Sequence, residues 1–200
     1  MHVVAALFAF LLWGLPLAVA AQEPDHEIHE ELRAVLRQVV GAINSGKFDD
    51  MLPVLDERIA ATSVTQEIMS NRADVSGYFR EWFGPTGYMK SLDMKMQADA
   101  LTELSPDKTW GLVRGSAIEN YEAKDGDRFE FKTRWTAVMT KGGDGRWRLR
   151  AIHFGTNHLD NPVLTKVQGK LTRIAIGATV GALLVGLLLG WFVRGRKRAS

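Results

Sequence analysis

The chain has 200 residues with a formal net charge of +2, and 46% of its residues are hydrophobic. That length suits one compact domain with accessory segments, and the balanced charge excludes an intrinsically disordered chain. The absence of cysteine excludes disulfides, thiol nucleophiles and thiolate metal sites. All 23 acidic residues lie between residues 21 and 173, against 21 basic residues there. The basic excess therefore belongs to the C-terminal tail, residues 194–200, and we expect no nucleic-acid partner.

Residues 1–20 have the pattern of a secretory signal peptide. Residues 3–20 carry no charge, Pro16 lies near the end of the run, and the sequence Ala18-Val19-Ala20 suits signal peptidase. The alternative is an uncleaved N-terminal anchor, since only His2 and the α-amino group can supply positive charge at the start. We expect a cleaved signal.

Residues 174–193 form a second apolar run, 20 residues without a charge. A helix of that length spans about 30 Å, the thickness of the hydrocarbon core of a bilayer. Four basic residues follow in the tail, and the positive-inside rule places that tail in the cytoplasm. Together with the signal, this predicts a single-pass membrane protein whose domain is exported, in a bacterium to the periplasm or beyond.

The spacing of the apolar residues changes once within the intervening domain, residues 21–160. Apolar residues at helical spacing predict three helices, over about 25–44, over 48–55 and from the turn at residues 71–72 to Gly84-Pro85, and an extended segment over 59–69. From residue 92 an alternation of period two predicts four strands, at 92–104, 109–122, 128–140 and 147–155. Helices followed by successive hairpins predict an α+β fold, with the N-terminal helices packed on one face of a curved antiparallel sheet.

A juxtamembrane segment, residues 161–173, joins this domain to the predicted span. Pro162 suits the first turn of a helix because its missing N–H would lack an intrahelical partner there. We therefore expect a helix that continues from the domain into the membrane, with no flexible linker between them.

The order of elements, the DGRW turn at residues 144–147 and the strand ending AIHFGTN at Asn157 resemble a SnoaL-like domain of the nuclear transport factor 2-like superfamily. The segments RWTAV from Arg134 and LDNPVL from Leu159 are similar to signal-bearing, C-terminally membrane-anchored bacterial members. The resemblance implies a cone-shaped, cystatin-like roll around a pocket. Members include ketosteroid isomerase and polyketide cyclases, and many others are binding or assembly modules, so the fold leaves the function open.

His153 is the first candidate for chemistry. Its alternation with Trp147, Leu149 and Ala151 predicts that the imidazole points to the inner face of the sheet, towards the aromatic third helix. There it would accept or donate one proton near pH 7. The alternative is a hydrogen-bonded histidine that helps to close the core.

Aromatic side chains supply a candidate pocket wall, since such pockets are mostly apolar with few polar groups. The predicted ligand-binding residues are Tyr78, Trp82, Trp135, His153 and Asn157. The same aromatic spacings also suit a plain hydrophobic core.

No metal or cofactor site is expected. His153, His158 and Asp160 lack the spacing of a metal site. The polar residues at the start of the first helix, including His29, are interpreted as solvated.

Two functions remain open from the sequence. The leading hypothesis is a non-catalytic domain that binds a small apolar or amphipathic ligand, or a protein partner, in its cone. The alternative is an isomerase or dehydratase with His153 as acid and base, although Asp93 and Asp99 fall on the polar face of their strand and match no general base. We also expect a weak homodimer through the charged outer sheet face and the Gly177/Gly181 pair in the span.

Overall fold

The computed structural model describes residues 23–159 and 161–196. The predicted signal at 1–20 and the tail residues 197–200 lie outside the described residues. The helices are α1 His26–Ser45, a 3₁₀ helix Phe48–Val54, α2 Arg72–Phe83 and α3 Pro162–Arg196. The strands are β1 Leu55–Thr62, β2 Ile68–Met69, β3 Met89–Ala98, β4 Glu103–Leu104, β5 Trp110–Ala123, β6 Arg128–Lys141 and β7 Trp147–Thr156.

Helix α1 packs its apolar stripe on the sheet, as its sequence period predicts. Leu32, Val35, Val39 and Ile43 are all buried on this face. The helix ends at Gly46, whose left-handed backbone (φ 69°) lets its N–H donate to the carbonyl of Ile43 at 3.0 Å. The amphipathic pattern therefore fixes which side of α1 closes the cone.

The sheet has the strand order β2-β1-β7-β6-β5-β3, with β4 paired to β5. The predicted antiparallel pairing is present in β3, β5, β6 and β7, but the strand predicted at 92–104 is divided into β3 and β4. Strand β1, from the segment predicted only as extended, adds to the edge of β7 in parallel. The fold is thus α+β with helices on a curved, cystatin-like sheet, and the sheet is mixed because β1 joins it.

A β-bulge in β7 changes which side chains face the interior. Val138 pairs with Ala151 and Met139 pairs with Leu149, so Arg150 has no partner on β6. Such an extra residue reverses the inward and outward alternation beyond it. Ile152 therefore faces the interior and its neighbours in sequence face outwards.

Helix α3 starts at Pro162 and is continuous to Arg196, which confirms the expected unbroken link. Its first turns contact β6: the Lys166 ammonium pairs with Asp127 and lies 4.9 Å from the centroid of the Phe129 ring. The part from Pro162 to Trp191 is long and apolar enough to cross a membrane.

Candidate functional site: three apolar cavities in the cone

The α1 cavity, defined as the space between α1 and the inner face of the sheet, has a volume of about 450 Å³. Its wall is mostly aliphatic, and the aromatic part is Trp135, whose indole N–H donates to the carbonyl of Ser116 at 3.0 Å. Hydrophobic side chains from α1, β3, β5, β6 and β7 form this wall, among them Leu32, Leu36, Val39, Met96, Val113, Ala137, Met139, Leu149 and Ile152. This volume lies within the usual range of small-molecule sites.

His29 brings one of the few polar groups of the α1 cavity into its wall. The side chain is only 6% exposed, so the interpretation of His29 as part of a solvated helix start is wrong. The spacing 29, 32, 36, 39 places His29 on the apolar stripe of α1, and this signal was present in the sequence. Arg33 also borders the cavity, but its guanidinium is bound by Glu23 and Glu30.

The inner cavity is smaller, about 90 Å³, and shares Val39, Met96, Leu149 and Ile152 with the α1 cavity. Its wall contains Glu119 of β5, which is 1% exposed. A charged residue so deeply buried requires hydrogen-bond partners.

Two hydroxyl groups supply the partners of Glu119. The Tyr121 hydroxyl donates to Oε2 at 2.7 Å, and the Thr133 hydroxyl donates to Oε1 at 2.6 Å. Burial raises the pKa of the Glu119 carboxyl, while the two hydroxyl donors act in the opposite direction. Burial also raises the pKa of the Tyr121 phenol, and the nearby Glu119 raises it further. Burial in the cone interior therefore makes Glu119 hold its proton more tightly than an exposed glutamate does.

Glu119 is the main polar residue that sequence reasoning missed. The alternation Ala117, Glu119, Tyr121, Ala123 along the predicted strand places the carboxyl on the inner face of β5. An acidic residue in register with apolar neighbours on one strand face is the signal that would have indicated it.

The mouth cavity has a volume of about 490 Å³ and lies where β7 continues towards α3. It shares Val64, Tyr78 and Tyr121 with the inner cavity, so the three cavities follow one another through the cone. Trp82 forms part of its wall, and the indole N–H donates to Glu67 Oε1 at 3.0 Å. The other wall residues are Thr65, Phe83, Tyr88, Met89, Phe129, Phe131, Thr156, His158, Asn161 and Val163.

The five sequence-predicted ligand residues do not meet in one site. Tyr78 borders the inner and mouth cavities, Trp82 the mouth cavity, and Trp135 the α1 cavity. Asn157 is exposed beyond the end of β7, where its Oδ1 accepts from the Leu159 N–H at 3.0 Å.

His153 is exposed on the outer face of the sheet, opposite Thr136 of β6. The prediction that it faces the cone is wrong, because the bulge at Arg150 reverses the alternation. An imidazole on the outer face cannot reach a molecule bound inside. Within residues 23–159 and 161–196, no group of three metal-ligating side chains is close enough to hold an ion; Asp160 lies outside that range.

No family model matches the sequence, and a search of the curated proteins finds no match. Solved structures do match the fold. A candidate scytalone dehydratase from Novosphingobium aromaticivorans is 10% identical with a TM-score of 0.57, over 68% of this chain and 89% of that chain. A ketosteroid isomerase-like protein from Erwinia carotovora atroseptica is 12% identical with a TM-score of 0.55, over 65% and 96%.

A domain of unknown function with a cystatin-like fold from Nostoc punctiforme is 13% identical with a TM-score of 0.53, over 80% of this chain and 96% of that chain. At these identities the likeness shows the fold alone. The described domain therefore shares a cystatin-like fold with these structures, a fold that is found in an isomerase-like protein, in a candidate dehydratase and in a domain of unknown function.

Proposed function

We propose that this protein is a membrane-anchored binding domain whose α1 cavity holds a small apolar or amphipathic molecule. The observation that carries the proposal is the cavity of about 450 Å³ with a mostly hydrophobic wall. Burial of apolar ligand surface supplies about 25 cal/mol per Å² against the cost of immobilising the ligand. A cavity of this kind favours a compact hydrophobic molecule.

His29 would select one polar group on that molecule. Its ring is buried in the cavity wall, whereas Arg33 is held at the rim by two glutamates. A hydroxyl or carbonyl oxygen facing the imidazole would form one hydrogen bond in a dry environment. The fitting ligand is therefore apolar over most of its surface, with one such oxygen at the α1 side.

Catalysis finds less support than binding. The enzyme hypothesis relied on His153, which lies outside the cone. Glu119 is inside, but the space beside it is about 90 Å³, below the roughly 300 Å³ at which small-molecule sites begin. Its two short hydrogen bonds also occupy both carboxyl oxygens. We therefore assign Glu119 to the structure of the cone.

A photoaffinity experiment tests the binding proposal. The full chain, reconstituted in vesicles, is irradiated with a neutral alkyl alcohol that carries a diazirine, and labelled peptides are mapped by mass spectrometry. We expect label on α1 and on the inner strands. Leu36→Trp, which fills the cavity from α1, should lower this labelling about tenfold, equivalent to about 1.4 kcal/mol.

Arg37→Trp is the matched control because Arg37 is the neighbouring exposed residue of the same helix. It adds the same side chain on the solvent side of α1 and should leave the labelling unchanged. Equal labelling in Leu36→Trp and Arg37→Trp would place the probe elsewhere and contradict the proposal.

The topology is also a proposal: an N-terminal signal, an exported cone, one span formed by α3 and a cytoplasmic tail. Its support is the apolar length of α3 and the four basic residues that follow Val193. The weak homodimer expected from the charged outer face belongs to this proposal as well.

A further inference from the structure

The mouth cavity lies at the end of the cone from which α3 leaves, and its use by the membrane rests on the proposed topology, in which α3 is the span. Asn161 and Val163, at the start of α3, form part of its wall, opposite Trp82 and Tyr88. Tyr88 and Val163 are 47% and 49% exposed, which leaves the edge of the cavity open beside the helix. The mouth cavity is separate from the α1 cavity, so binding in the mouth cavity does not require a ligand in the α1 cavity.

The contacts of Lys166 show how far along α3 the mouth cavity extends. Its pairing with Asp127 and its position over Phe129, a wall residue, bring it level with the edge of the cavity. Ile174, the first residue of the apolar run, is eight residues further, or about 12 Å along a helix. The headgroup layer occupies about 5–7 Å of that distance. The opening is therefore close to the headgroup surface.

An apolar stripe on α3 covers the remaining distance. Val163, Val167, Leu171 and Ile174 follow at spacings of four, four and three residues, which places them on one side of the helix. They are 49%, 48%, 62% and 67% exposed, so within the described residues nothing in the chain covers this stripe fully. An apolar surface thus continues from the cavity to the hydrocarbon.

Basic residues lie along one edge of this stripe, since Lys170 follows Val167 by three residues and precedes Ile174 by four. Lys170 and Arg173 are exposed, and no ion pair is formed by either within the described residues. Asp125 and Asp127, at the nearby turn, are already engaged by Tyr88 and Lys166. Free cations close to a bilayer attract anionic headgroups, by about 1 kcal/mol each near such a surface.

We propose that the mouth cavity binds an acyl chain of an anionic phospholipid taken from the bilayer that holds α3. The chain leaves the hydrocarbon along the stripe from Ile174 to Val163 and enters the cavity between α2, β6 and α3. The headgroup stays at the membrane surface beside Lys170 and Arg173. A ligand from water or a second copy of the protein on the stripe are the rival occupants.

The test uses the full chain in vesicles of phosphatidylcholine and phosphatidylglycerol. A trace of phosphatidylglycerol carries a diazirine near the end of one acyl chain, and labelled peptides are mapped after irradiation. Besides the span, we expect label on the wall of the mouth cavity, in α2 and in the part of β6 around Phe129.

Two valine variants on the stripe provide a matched pair. Val163 and Val167 have nearly equal exposure, but only Val163 borders the mouth cavity. Val163→Trp fills the cavity and should lower lipid labelling of α2 and β6 about tenfold, a change of about 1.4 kcal/mol. Val167→Trp should leave that labelling in place. Unchanged labelling of the α1 cavity by the alcohol probe shows that Val163→Trp remains folded.

Several results would overturn the proposal. Label confined to the span would show that no acyl chain reaches the cavity, and equal labelling in the two variants would place the chain elsewhere. Cross-links from the stripe to another copy would assign the stripe to a dimer. Equal labelling by a phosphatidylcholine probe would show that the mouth cavity does not select lipids with an anionic headgroup. In each case, labelling of the α1 cavity by the alcohol probe remains an independent measure of the first proposal.

Discussion

Replacement of Glu119 tests whether the buried carboxyl stabilises the cone as a hydrogen-bond acceptor whose pKa is raised by burial. Glu119→Ala removes the acceptor of both Tyr121 and Thr133, whose side chains are 9% and 3% exposed. Each buried hydroxyl left without a partner costs about 1–3 kcal/mol, so the loss is about 2–6 kcal/mol, reduced by the relief of a buried carboxyl. For a domain of this size, each kcal/mol lowers Tm by roughly 3–5 °C.

Glu119→Gln is the matched variant because it keeps the shape and a carbonyl acceptor and cannot ionise. The folded protein holds the Glu119 proton more tightly than the unfolded chain, because burial raises its pKa above the ordinary value of 4.5. Stability from this group is therefore fully present below pH 4.5 and is lost as pH rises through the folded pKa. Relative to the wild type, Glu119→Gln should thus gain stability as pH increases.

Thermal unfolding of the full chain in detergent, followed by near-ultraviolet circular dichroism at pH 4.5 and pH 8, measures both effects. Other carboxyls titrate equally in the two proteins, so the difference between Glu119→Gln and wild type isolates this group. Equal stability of Glu119→Ala and Glu119→Gln would show that Glu119 is not a stabilising acceptor. A difference between Glu119→Gln and wild type that does not change with pH would show that burial does not raise the pKa of Glu119.

Two further predictions concern the outer face and the tail. His153→Ala should change the free energy of unfolding by no more than about 0.5 kcal/mol, because the side chain is exposed, and should leave probe labelling of the α1 cavity unchanged. If thermal unfolding shows a loss above about 2 kcal/mol, the His153 side chain is buried in the core. A reporter that is active only in the cytoplasm, fused after Ser200, should be active; activity only from an exported-compartment reporter would reverse the proposed orientation.

The sequence alone determined the elements that depend on local periodicity. The apolar stripe of Leu32, Val35 and Val39 predicts helix α1, and the two-residue alternation from Leu92 predicts the hairpins. Both patterns indicate which side of the element is buried. The uncharged run beginning at Ile174 likewise specified a helix long enough to cross a membrane. These features need no knowledge of a partner element.

The positions of the site residues were decided by tertiary structure. Arg150 bulges because β7 contributes one more residue than β6 over the same length, and a mismatch between two strands cannot be read from either strand. His153 consequently points outwards. The cavities depend on how closely α1, α2 and α3 approach the sheet, a distance set by packing between segments far apart in sequence. For Glu119 the sequence and the tertiary structure each decided one part. The alternation along β5 predicts that its side chain points inwards, but its contact with Thr133 depends on the pairing of β6 with β5.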